Sequence, residues 1–152
     1  MGTALFYHLT RRPLEQTLAM LLGKALGAQM RVVVRGPDLG RMGWLDEQLW
    51  HGAEDGFLPH GMAGGAHDAL QPVLLTTGPD APNGAGCLMT VDGAAVDAAD
   101  VADMDRVCVL FDGNDPSALE VARDQWKALK AAGASAQYWS EESGRWEMKA
   151  QT

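Results

Sequence analysis

The chain has 152 residues, is 47% hydrophobic and 21% charged, and carries a formal net charge of −8. That length suits a single domain over 1–152 with its own core, and the acidic surface repels phosphate at long range, which disfavours a nucleic-acid track. No apolar run is long enough for a membrane helix, and the first ten residues show no basic and apolar secretory leader.

The predicted elements begin with a strand over Thr3–Leu9, rich in aromatic and apolar residues. Leu14, Leu18, Leu21, Leu22, Ala25 and Leu26 then recur at helical spacing, with Pro13 at the start and Gly27 at the end. The β-branched run Arg31–Arg35 reads as a buried parallel strand. Gly36-Pro37-Asp38 is turn chemistry, and a second helix is expected over Asp38–Trp50. From His51 to Gln71 the sequence is glycine-rich and resists assignment, apart from an extended piece near Phe57-Leu58-Pro59-His60.

Pro72–Thr77 and Cys87–Val91 read as strands, separated by a turn-rich loop over Gly78–Gly86. Asp92–Asp105 reads as loop plus a short helix, and Arg106–Phe111 as the central strand. Asp115 and Pro116 have the chemistry of an N-cap and a first helical residue, opening a helix that runs to about Ala132 and stops at Gly133. A hairpin is expected from Ala136–Ser140 and Arg145–Lys149, turning at Glu141-Glu142-Ser143-Gly144. Alternating strands and helices predict a three-layer α/β/α sandwich: a mostly parallel sheet covered on both faces, closed by the C-terminal hairpin.

The enzyme readings find little support. Neither G-x-x-x-x-G-K-[ST] nor G-x-G-x-x-G occurs; Gly84-Ala85-Gly86 opens the latter but position 89 is methionine. No serine lies in G-x-S-x-G. Cys87 and Cys108 are the only cysteines, each in an apolar run, as expected of free thiols in a reducing cytoplasm. His51, His60 and His67, with Asp68, fall in one stretch, but their spacings match no zinc pattern. Asp112 and Asp115 follow the central strand, where open α/β sheets place ligands, and they are the alternative site for a phosphate-dependent enzyme using Mg²⁺. Helix capping competes for Asp115. No cofactor and no metal are expected.

Charge is unevenly placed. Between Asp92 and Glu120 stand eight acidic residues against Arg106 alone; between Arg123 and Lys149 stand five basic residues against four acidic ones. Arg123, Lys127 and Lys130 are spaced to form one cationic stripe beside an apolar stripe of Leu119, Ala122, Trp126 and Leu129. Tyr138, Trp139, Arg145, Trp146, Met148 and Lys149 follow. Such a segment is either a core edge with a solvated basic face, or an anchor for an acidic peptide ending in a carboxylate. Trp44 and Trp50, ahead of Phe57-Leu58-Pro59-His60, form either a satellite core or a second interface. Direct single-stranded DNA binding through these aromatics is a third reading, opposed by the net charge.

Phe6-Tyr7, then Leu45-Asp46-Glu47-Gln48-Leu49-Trp50 with Phe57-Leu58-Pro59-His60, then Ala122-Arg123-Asp124-Gln125-Trp126-Lys127 occur in an order that resembles the chi subunits of bacterial DNA polymerase III holoenzyme. These are accessory proteins of the clamp loader, and the resemblance spans nearly the whole chain. It implies a Rossmann-like fold without nucleotide chemistry and a bridging role. The implied partners are the acidic C-terminal tail of single-stranded DNA-binding protein and the psi subunit or another clamp-loader component, with a helicase as a secondary one. Arg123, Trp126, Lys127 and Trp146 match the tail site, with Trp139 as the alternative to Trp146. Trp50, Phe57, Pro59 and His60 match the psi-facing surface. Tryptophan stands at 126 where the family often has tyrosine, which keeps a ring and loses its hydroxyl.

Overall fold

The computed structural model describes residues 2–51 and 59–152. In chain order its strands are β1 (Thr3–Leu9), β2 (Val32–Arg35), β3 (Gly61–Met62), β4 (Val73–Thr76), β5 (Cys87–Thr90), β6 (Arg106–Asp112), β7 (Ser135–Ser140) and β8 (Glu147–Gln151). The helices are α1 (Leu14–Gly27), α2 (Leu39–His51), α3 (Ala98–Asp103) and α4 (Pro116–Ala131). Among the described residues the strands make one eight-stranded sheet in the order β3-β4-β2-β5-β6-β1-β7-β8. Every pairing is parallel except β7 with β8.

Strand alternation sorts the core into two layers. On one face Leu9, Val32, Val34, Leu75 and Leu110 pack with Leu18, Leu22, Met42, Leu45 and Leu49 of α1 and α2. On the other, Phe6, Val33, Leu88, Val107 and Val109 pack with Val101 of α3 and with Ala122 and Leu129 of α4. The α/β/α sandwich read from the sequence is the fold observed.

Helix ends follow local chemistry. The Asp115 side chain accepts from the Ser117 N–H at 3.0 Å and caps α4, with Pro116 at the first helical position. Gly133 stops α4 at φ 78°, with the Ala134 N–H returning to the Leu129 carbonyl. The same reversal after α1 does not use the expected Gly27, which is the last helical residue. Gln29 takes the left-handed conformation (φ 64°), and the Gln29 and Met30 N–H groups close onto Leu26 and Ala25. The short acidic helix α3 is held by a capping box between Asp97 and Asp100.

One other expectation is corrected. The second hairpin strand starts two residues later than read, at Glu147, with a bulge between Tyr138 and Trp139. Residues 141–146 form a wider connection because Glu141 turns inward, only 2% exposed, to bond the β1–α1 loop. In the glycine-rich stretch, Phe57 and Leu58 lie outside the described residues; the piece that joins the sheet is β3, beside β4.

Candidate partner-binding site

α4 carries Arg123, Lys127 and Lys130 on one exposed flank, and none of them enters an ion pair among the described residues. Trp126 is half-buried beside them. Its ring meets Phe6 of β1 edge-on at 5.4 Å and Tyr138 of β7 at 6.0 Å. Tyr138 in turn contacts Phe111 and His8. Burial raises the Tyr138 phenol above its ordinary pKa, and the Arg123 charge opposes that shift, so this cation lies within electrostatic reach of the ring. The result is a half-buried aromatic floor edged by unpaired cations. Such a surface suits a ligand with an apolar ring and a carboxylate.

Trp146 is not part of that group. It packs edge-on against Tyr7 at 5.3 Å and joins the core of the α1 and α2 face. Neighbouring residues on β1 point to opposite sides, so Phe6 faces Trp126 and Tyr7 faces Trp146 across the sheet. Trp139 pairs with Tyr7 in register and bonds Gln137 through its indole N–H. Tyr138, one residue earlier, is the hairpin aromatic that contacts Trp126 and feels the Arg123 charge. Its signal in the sequence is strand alternation: Ala136 and Tyr138 share one face, Gln137 and Trp139 the other.

The second predicted group is partly assembled. Trp50 at the end of α2 is 48% exposed and lies over the buried His60 ring, with centroids 4.2 Å apart. His60 Nε2 is 3.1 Å from the Asp46 carbonyl and 3.2 Å from its carboxylate, so this nitrogen carries the proton and donates. Pro59 adjoins, half-buried. Phe57 lies outside the described residues. Arg41 stacks on Trp44 at 4.5 Å and pairs with Asp92 on the same helix's other flank.

The residues considered for metal and phosphate are used differently. Asp68 accepts from the Gly64 and Gly65 N–H groups, and His51 and His67 are exposed. No group of three or more metal-ligating side chains converges among the described residues. At the carboxyl edge, α1 leaves β1 on one face while α4 leaves β6, its neighbour, on the other. The crevice between them has a volume of about 770 Å³. This is the switch point at which open α/β sheets hold ligands. Asp112 accepts from the Asn114 N–H and Asp115 caps α4, while Arg11, Arg12 and Arg41 alternate with these acids around the rim. The lining therefore has no dominant sign of charge.

The family model for the DNA polymerase III chi subunit, HolC, matches residues 1–137. The chain belongs to the DNA polymerase III chi subunit family. A comparison with curated protein sequences finds no match. The family match covers β1 through the first half of β7, including α2 and all of α4. It stops before Tyr138, Trp139, Trp146 and β8. The two aromatic groups of α2 and α4 thus lie on the chi-family part of the chain, on opposite faces of its sheet.

Proposed function

We propose that this chi-family chain is a non-catalytic accessory subunit of the replicative polymerase, joining the clamp loader to single-stranded DNA-binding protein in the cytoplasm. The α4 surface grips that protein's acidic C-terminal tail. Arg123 and Lys127 meet its carboxylates, and Trp126 with Tyr138 receives an apolar side chain. Trp50, Pro59 and His60, with Phe57 added by the family resemblance, form the face for psi or another clamp-loader component, and a helicase is a secondary occupant of that face. The observation that carries the reading is the Arg123–Lys127–Lys130 stripe, without ion pairs among the described residues, beside a half-buried tryptophan in an otherwise acidic chain. The phosphate-enzyme alternative loses ground because Asp115 and Asp112 are spent on capping and turn bonds.

Titration with the tail peptide of single-stranded DNA-binding protein tests the reading. Loss of one charge-assisted contact costs about 1.5–3 kcal/mol, so Arg123→Ala should weaken binding roughly ten- to 150-fold. Trp126→Phe keeps the contact with Phe6 and should lose less. Unchanged affinity in Arg123→Ala would remove the α4 site from consideration.

A further inference from the structure

The N–H groups of Thr10, Arg11 and Arg12 all point at one atom, Oε1 of Glu141, at 3.2, 2.9 and 2.9 Å. Successive amides converging on one point form a concavity for an anion. This one lies between β1 and α1, on the loop that also walls the switch-point crevice, and its amides face Glu141 on the β7 side of β1. Here the anion is supplied by the chain itself, from the residue directly after β7. The Glu141 residue is 2% exposed. Further bonds close the same joint. Arg11 donates through Nε and Nη2 to the Glu142 carbonyl at 3.3 and 3.0 Å, and the Gly144 N–H donates to the Glu141 carbonyl at 2.9 Å. Gly144 sits at φ 97°, a conformation that lets the connection double back beside Arg11.

We infer that Glu141 is an intramolecular latch: its carboxylate fills the anion seat of the β1–α1 loop, excludes an external anion, and ties the β7–β8 hairpin to the carboxyl edge. Glu141 lies beyond the family-matched residues 1–137, and the inference is independent of tail binding. The amides that would hold a phosphate already have a partner.

Amide hydrogen exchange at Thr10, Arg11 and Arg12 tests this on the full chain in its wild-type, Glu141→Ala, Glu141→Gln and Glu142→Ala forms. The three amides should exchange slowly in the wild type. They should exchange about tenfold faster or more in both Glu141 variants, and at the wild-type rate in Glu142→Ala. Sodium acetate should restore protection in Glu141→Ala, where sodium chloride of equal ionic strength does not. Rapid exchange in the wild type, unchanged exchange in the Glu141 variants, equal acceleration in Glu142→Ala, or no acetate effect would each overturn the latch. Should Glu141→Ala fail to fold, the wild type and Glu141→Gln decide the question.

Discussion

Glu141 and Trp146 show how far a residue's role departs from its type. Burial alone would raise the Glu141 pKa, but the N–H groups of Arg12, Arg11 and Thr10, aided by the Arg12 charge, hold it below the ordinary glutamate value. A carboxyl with a depressed folded-state pKa stabilises the fold above its unfolded pKa, and that contribution disappears as pH falls through the folded value. The Tm difference between wild type and Glu141→Gln should therefore be largest near about pH 7 and shrink towards about pH 3. A constant difference across the range would mean that the charge contributes nothing. For Trp146, the indole N–H is buried without a hydrogen-bond partner among the described residues. Trp146→Phe removes that unsatisfied donor while keeping an aromatic ring near Tyr7, so stability should change by less than about 1.5 kcal/mol. Tail-peptide affinity should stay within about twofold of wild type, since the ring faces away from α4. Neither role was legible in the sequence. One glutamate of a Glu-Glu pair in a turn looks like solvated charge, and Trp146 joins the tail site only through the family resemblance, which says nothing of the face of the sheet it packs on.

At the scale of elements, the sequence carried most where local chemistry and burial agree. Pro116 after Asp115, Gly133 after the last turn and a four-residue apolar ladder define α4 without help from the rest of the chain. Only the second hairpin strand starts later than its sequence suggests, by two residues, because its register depends on a bulge and on a long-range bond from Glu141, neither of which has a local signature. Arg35 is a similar case. It ends a run of valines on β2, yet is 8% exposed, and its guanidinium reaches Asp100 of α3 at 3.1 Å along with the Ala95 and Pro79 carbonyls. Asp100 also completes the capping box of α3. Asp100→Ala would leave a buried guanidinium uncompensated and open that cap, so a loss of about 3–5 kcal/mol is expected in urea unfolding. A loss below about 1 kcal/mol would mean that the carbonyls and solvent suffice for Arg35.

The whole molecule sets its two aromatic surfaces on opposite sides of a sheet. Trp50 belongs to the helix layer of α1 and α2, and Trp126 to the layer of α3 and α4. Side chains in separate layers with no shared partner behave additively. Trp50→Ala should therefore leave tail-peptide affinity within about twofold of wild type, and the double variant Trp50→Ala/Arg123→Ala should match Arg123→Ala alone. Strong coupling would mean that the surfaces communicate through the sheet. The layered architecture was legible from alternation alone; which aromatic falls on which layer required the register of β1 with β7.

That central β1 strand also imposes a schedule on synthesis. Its neighbours are β6 and β7, with Thr3 paired to Arg106 on one side and to Ser135 on the other. At about 5–20 residues per second, a ribosome needs about 5–20 s after making β1 before β6 emerges. Throughout that interval the apolar strand TALFYHL has both hydrogen-bonding edges open and neither of its native companions. The nascent chain is thus most vulnerable to aggregation early and for a long time, and the sheet's middle is among the last parts to close.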